Sequence, residues 1–211
     1  MFITIEGIEG SGKSTLAKNL ANKIEVELLK DVVLTREPGA SELGKKLREL
    51  LLRRETFNTV QTAELLMFGA DRAQHIHEVI QPSLENGSVV ISDRYIHSTL
   101  AYQGHGRGID FEMLKSINQI ATGGLIPELV IVMDLEATKG LARAKQRGED
   151  SWTSFEREEI AFHEKIRNAF LHFAKEQPEM FAVIDANKSP EEILEIAFAE
   201  IKTRISSSTS N

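Results

Sequence analysis

Eight residues near the start of the chain, Gly7-Ile8-Glu9-Gly10-Ser11-Gly12-Lys13-Ser14, carry its densest chemistry. Glycines at 7, 10 and 12 let the backbone turn with its N–H groups pointing inward, forming an anion nest. A helical pattern starts at Lys13, so a helix N-terminus adds partial positive charge at the same place. Lys13 can reach the β- and γ-phosphates of a nucleoside triphosphate, the Ser14 hydroxyl can ligate magnesium, and Thr15 extends the ATP-facing set. The spacing G-x-x-x-x-G-K-[ST] is met without mismatch and is the P-loop pattern. Two more loops hold cations. In Thr35-Arg36-Glu37-Pro38-Gly39, Pro38-Gly39 forces a turn that aims Arg36. In Ile91-Ser92-Asp93-Arg94-Tyr95, Asp93 can hold a magnesium water and Arg94 follows it directly. Each arginine could instead form a local ion pair, Arg36 with Glu37 and Arg94 with Asp93. Two arginines at two strand ends beside a phosphate cradle point to a second phosphorylated ligand.

The elements that position these residues follow from periodicity. Apolar runs at Phe2 to Glu6, Val32 to Thr35, Val89 to Ser92, Leu129 to Asp134 and Phe181 to Asp185 lack clean alternation, as buried parallel strands do. Helical patterns lie between them: Lys13 to Ile24, Glu42 to Leu52, Thr62 to Leu84, Phe111 to Ala121, Thr138 to Gln146, Arg157 to Glu176 and Pro190 to Ile201. The last opens on Ser189-Pro190-Glu191-Glu192, a cap with proline in the first turn. Strand–helix alternation predicts an α/β fold with a five-stranded parallel sheet and helices on both faces. Ligands in open sheets of this kind bind beyond the carboxyl ends of the strands, where the loops after Glu6, Thr35, Ser92 and Asp134 lie.

At 211 residues the chain suits one domain, expected over 1–205 with a frayed tail at 206–211. A net charge of -7 argues against general binding to nucleic acid or anionic membrane, so any anion must be held by locally placed cations. There is no cysteine, hence no disulfide framework or thiolate metal site. His75 and His77 are two apart on a predicted helix and do not share a face. No leader or membrane span is read from the sequence, and a cytoplasmic location is expected.

A P-loop alone does not identify the acceptor of the phosphoryl group. A switch GTPase would need an N-K-x-D segment, which the chain lacks. A kinase for some other small acceptor, and a binding module without transfer, are the readings the residues leave open. The P-loop, Thr35-Arg36-Glu37-Pro38-Gly39, Asp93-Arg94-Tyr95 and Ala101-Tyr102-Gln103-Gly104, in this order and spacing, resemble the thymidylate (dTMP) kinase family. The resemblance runs from Phe2 to about Ile201 and implies the P-loop NTPase fold, ATP and dTMP as substrates, magnesium, and a homodimer packed through long helices. It makes Phe68 the residue that stacks on thymine and Arg72 the one that reads the base, on the helix face they share with Glu64. Ser98, Tyr102 and Gln103 would flank base and sugar, Pro38 and Arg36 would meet the acceptor, and Glu9 would sit near the sugar and the metal waters. Lys13 and Arg94 would be catalytic.

The resemblance also implies a lid over ATP, at about 143–156. A P-loop with glycine at position 10 is usually accompanied by a lid arginine in a D-R-[FI]-E motif, but here Trp152-Thr153-Ser154 precedes Phe155-Glu156. Arg143 and Arg147 are the substitutes expected to act in catalysis, Arg147 being nearer the lid. A phosphate acceptor is already ionised at neutral pH, so no general base is expected. The task is to hold two polyanions in line while charge spreads over the transferred group.

Overall fold

A computed structural model describes residues 1–52, 57–146 and 153–208, with side chains to 205. Five parallel strands form one sheet in the order β2-β3-β1-β4-β5: β1 (Phe2–Glu6), β2 (Val32–Arg36), β3 (Val89–Asp93), β4 (Leu129–Asp134) and β5 (Phe181–Asp185). All five lie where the apolar runs predict them, within a residue. In central β1 every residue is buried, and it pairs Ile5 with Asp93 of β3 on one side and Ile131 of β4 on the other. Successive strand residues face opposite ways. Ile3 and Ile5 accordingly join the core under α1 (Lys13–Leu28), α8 (Ile160–Glu176) and α9 (Pro190–Ser208), while Phe2 joins Val90, Tyr95, Ile76 and Ile80 on the other face. The edge strands depart from the expectation of full burial: Leu34 of β2 and Val183 of β5 are nearly half exposed.

Helices α2 (Glu42–Leu52), α6 (Phe111–Thr122) and α7 (Ala137–Lys145) match their sequence patterns to within a residue. Ser189 and Glu192 cap α9 reciprocally: the Glu192 amide donates to Ser189 Oγ and the Ser189 amide to Glu192 Oε2. Three expectations are corrected. The single helix over 62–84 is α3 (Gln61–His75), a π-helical stretch Ile76–Ile80 and short α4 (Gln81–Glu85). Helix α8 begins at Ile160 rather than Arg157, because residues 154–157 turn. The segment after β3, which carries no helical pattern, forms α5 (Ile96–Thr99) and a π-helical stretch Leu100–Gly106, where the Arg107 amide reaches back to the Tyr102 carbonyl. Among the described residues no helix is long and apolar enough to cross a membrane.

Candidate active site

The loop after β1 turns through Gly10, at φ 73°, into α1. A β-carbon at Gly10 would lie 2.0 Å from the Gly140 carbonyl oxygen of α7, and one at Gly140 would lie 2.5 Å from the Glu9 carbonyl oxygen. The loop therefore packs backbone to backbone against α7. Lys13 donates to the Ile8 carbonyl at 2.7 Å and is buried. Burial, then the charge of Arg94, pulls its ammonium down to about 8. Ser14 Oγ donates to Asp93 Oδ2 at 2.5 Å, which joins the ends of β1 and β3. A hydroxyl and a carboxylate side by side are hard oxygen donors of the kind magnesium takes. Ser11 Oγ is buried with no hydrogen-bond partner among the described residues.

Beside the P-loop a cavity of about 530 Å³ opens over the ends of β1, β2 and β3. Lys13, Ser14, Thr15, Glu9, Gly10 and Gly12 line its nucleotide side; Gly7, Ile8 and Ser11 shape the loop without facing the cavity. Arg94 enters it from the end of β3. One guanidinium nitrogen donates to Ser98 Oγ at 3.0 Å, and the other donates to Glu9 Oε1 at 2.9 Å and Tyr102 Oη at 3.0 Å. The Tyr102 hydroxyl donates to the same Glu9 oxygen at 2.7 Å. Burial would raise the Glu9 carboxyl, but Arg94, His163 and Lys13 together hold it well below the usual carboxylate range. The local pairing of Arg94 with Asp93 is thus replaced by Arg94 with Glu9 and Asp93 with Ser14.

Arg36 and Pro38 line the far wall, and the 37–38 peptide is cis. The alternative pairing of Arg36 with Glu37 is not made. Glu37 is buried and receives Arg72 Nε at 2.9 Å, with His75 Nδ1 3.0 Å away. The Gly39 amide donates to Asp71, whose carboxyl is raised to about 6 by burial and by Glu37. Arg48 of α2 is a cavity residue that sequence reasoning missed; it donates to the Pro38 carbonyl at 2.8 Å. Nothing in the sequence near Arg48 marks it, since it reads as the polar face of an amphipathic helix.

The third wall is aromatic and amide. Phe68 of α3 lines it, with the Phe155 ring 6.2 Å away and Tyr102 a further 5.6 Å from Phe155. Phe155 lies before the helical pattern that starts at Arg157 in the sequence. It sits in the turn preceding α8, buried against the cavity. Arg72 is buried and uses one NH1 hydrogen on Thr99 and the other on Asn118, besides its contacts with Glu37. A guanidinium has five N–H groups, so one on NH2 is left for a ligand. Gln103 donates its amide to buried Glu64 at 2.9 Å, which leaves its carbonyl oxygen as an acceptor. Glu64, noted only as sharing a helix face, orients Gln103 rather than lining the cavity.

On the lid side Arg143 lines the cavity and donates to the Ala186 carbonyl after β5 at 3.1 Å. Arg147 lies outside the described residues. Ser154 donates to the Leu52 carbonyl through both its amide, at 3.1 Å, and its hydroxyl, at 3.0 Å. His163 of α8, another residue the sequence did not mark, is fully buried with Nδ1 3.2 Å from Glu9 but without hydrogen-bond alignment.

The cavity thus sets a phosphate cradle facing Arg36, Arg48 and Arg94, with the Arg72 and Gln103 donor–acceptor pair beside an aromatic ring. The model of the thymidylate kinase family matches residues 5–196. A thymidylate kinase of Desulfovibrio desulfuricans is 49% identical over 199 residues, covering 92% of this chain and 91% of that protein. One of Carboxydothermus hydrogenoformans is 50% identical over 201 residues, covering 95% and 94%. The crystal structure of thymidylate kinase from Ehrlichia chaffeensis superposes with a TM-score of 0.71 at 34% identity, covering 87% of this chain and 91% of that one.

Proposed function

The chain belongs to the thymidylate kinase family and catalyses ATP-dependent phosphorylation of dTMP to dTDP; we propose that transfer occurs in the cavity over β1, β2 and β3, with the following division of work. ATP lies on the P-loop, and Lys13 exchanges the Ile8 carbonyl for the β- and γ-phosphates. Ser14 and Asp93 would hold magnesium, which would supply positive charge to neutralise those phosphates. Arg36, Arg48 and Arg94 meet the dTMP phosphate from three elements, so donor and acceptor are held in line against mutual repulsion. No general base is needed, because the attacking phosphate oxygen is already ionised. The observation that carries the acceptor reading is the pair Arg72 and Gln103. Their free N–H and free carbonyl oxygen match the O4 acceptor and N3–H donor of thymine, with Phe68 positioned to stack on the ring.

Tyr102 and Ser98 flank the sugar side, and Glu9 faces the same region. Arg143 and Arg147 supply positive charge from the lid side. We place the enzyme in the cytoplasm, which cell fractionation would check. A coupled assay of ADP release across all nucleoside monophosphates tests the whole reading. Turnover should be fastest with dTMP, should require magnesium, and should fall in at least one of Arg143→Ala and Arg147→Ala. Turnover confined to an acceptor other than dTMP would overturn it.

A further inference from the structure

Arg94 has a backbone that a residue with a β-carbon rarely adopts: its φ is 75°. Such a conformation persists where the surroundings over-determine it. On its N-terminal side the Arg94 amide donates to the Ile5 carbonyl at 3.0 Å, and Ser92 Oγ holds the Arg94 carbonyl at 2.8 Å. On its C-terminal side the turn is tied by the Glu6 carboxylate. Glu6 Oε1 accepts from the Tyr95 amide at 2.9 Å and the Ser98 amide at 3.3 Å, and Glu6 Oε2 accepts from Ser98 Oγ at 2.6 Å.

Glu6 is fully buried at the last position of β1 and does not face the cavity. An apolar residue would be the ordinary occupant of such a position, and a buried carboxyl is costly unless it is satisfied. Burial raises the Glu6 carboxyl to about 7, and Arg94 is the strongest influence pulling it back. The polarity of the contacts is informative. Ser98 directs its hydroxyl proton to Glu6, so its oxygen lone pairs are left to accept from Arg94 at 3.0 Å.

We propose that Glu6 is a positioning residue for Arg94, clamping the turn after it and, through the Ser98 hydroxyl, fixing the guanidinium that faces the acceptor phosphate. The inference rests on the role given to Arg94 above. Glutamine at this position keeps an acceptor for the two amides but must donate to Ser98 Oγ, which turns the hydroxyl away. Alanine removes the clamp entirely.

The test is a double-mutant cycle read in steady-state kinetics and in MgATP affinity. Glu6→Ala should lose on the order of a hundredfold in kcat/KM for dTMP and Glu6→Gln about tenfold. MgATP affinity should stay within about twofold in both, whereas a merely structural role beside the P-loop would weaken it. In an Arg94→Lys background, Glu6→Gln should cost less than about twofold, because the guanidinium it positions is already gone. If Glu6→Ala does not fold, Glu6→Gln alone completes the cycle. Losses that add to those of Arg94→Lys, or parallel loss of MgATP binding, would overturn the inference and leave the site reading intact. Full turnover in Arg94→Lys would overturn both.

Discussion

Lys13 donates to a carbonyl of its own loop, and its ammonium is pulled down to about 8 by burial and by Arg94. The sign of the consequence is fixed. Below about 8 the amine is protonated and ready to meet phosphate; above it the neutral form predominates and the attraction is lost. MgATP affinity measured by calorimetry should therefore hold near pH 7 and weaken about tenfold by pH 9, with proton uptake on binding in between. Lys13→Ala should flatten that profile and reduce turnover by roughly a thousandfold or more, as expected for losing a charge that stabilises the transferred group. A variant with near-parental turnover would sink the mechanism. Arg72 and Gln103 illustrate a different residue-scale device. Neither is free to turn, since Glu37, Thr99 and Asn118 fix one and Glu64 fixes the other. On the proposed division of work, base selection would depend on two side chains whose remaining valences are decided by buried neighbours.

The closest backbone approach lies between the P-loop and α7, through Gly10 and Gly140. Two effects oppose each other in Gly140→Ala. Replacing a helical glycine should stabilise α7 by about 1 kcal/mol, but a β-carbon 2.5 Å from the Glu9 carbonyl must push the helix away, at about 1–3 kcal/mol. The clash should win. MgATP affinity should fall about tenfold and the melting temperature should drop by a few degrees. A variant that melts higher with affinity unchanged would show that the two elements need not touch. What could be read in advance follows from the same contrast between local and distant causes. The P-loop, the five strands and the α9 cap are written in consecutive residues, so spacing alone reveals them. Ile96–Gly106 was not legible because Gly104 and Gly106 interrupt any helical pattern. In the fold those glycines make room for the rings of Phe111 and Phe162. The start of α8 reads three residues early because Arg157-Glu158-Glu159 are helix formers that continue its pattern backwards, whereas Thr153 and Glu156 exchange bonds that close a turn just before it. Glu6 and His163 acquire their places through partners about ninety residues away or more, and Arg48 through a carbonyl in another element, which no local spacing encodes.

At the scale of the molecule, exposed apolar side chains gather on three adjoining helices, Leu43 and Leu50 of α2, Leu66 of α3, and Met113 and Ile120 of α6, whereas α1, α8 and α9 expose one each, Val26, Ile160 and Ile196. Helix α3 packs on both α2 and α6, so these residues belong to neighbouring surfaces of one helical layer. We propose that this layer forms a two-fold contact between copies of the chain. Sedimentation should give twice the 23.6 kDa chain mass, and Leu66→Glu with Ile120→Asp should shift it to a monomer. A parental protein that sediments at 23.6 kDa would remove the dimer. The same α2 ends at Leu52, whose carbonyl receives both the amide and the hydroxyl of Ser154. That carbonyl joins the helix bearing Arg48 to the chain at Ser154, before α8. Any coupling carried between the two sides of the cavity through that carbonyl is reciprocal by thermodynamic necessity. The factor by which bound ATP changes the affinity for dTMP must equal the factor by which bound dTMP changes the affinity for ATP, so titrating each nucleotide with and without the other should return one and the same ratio.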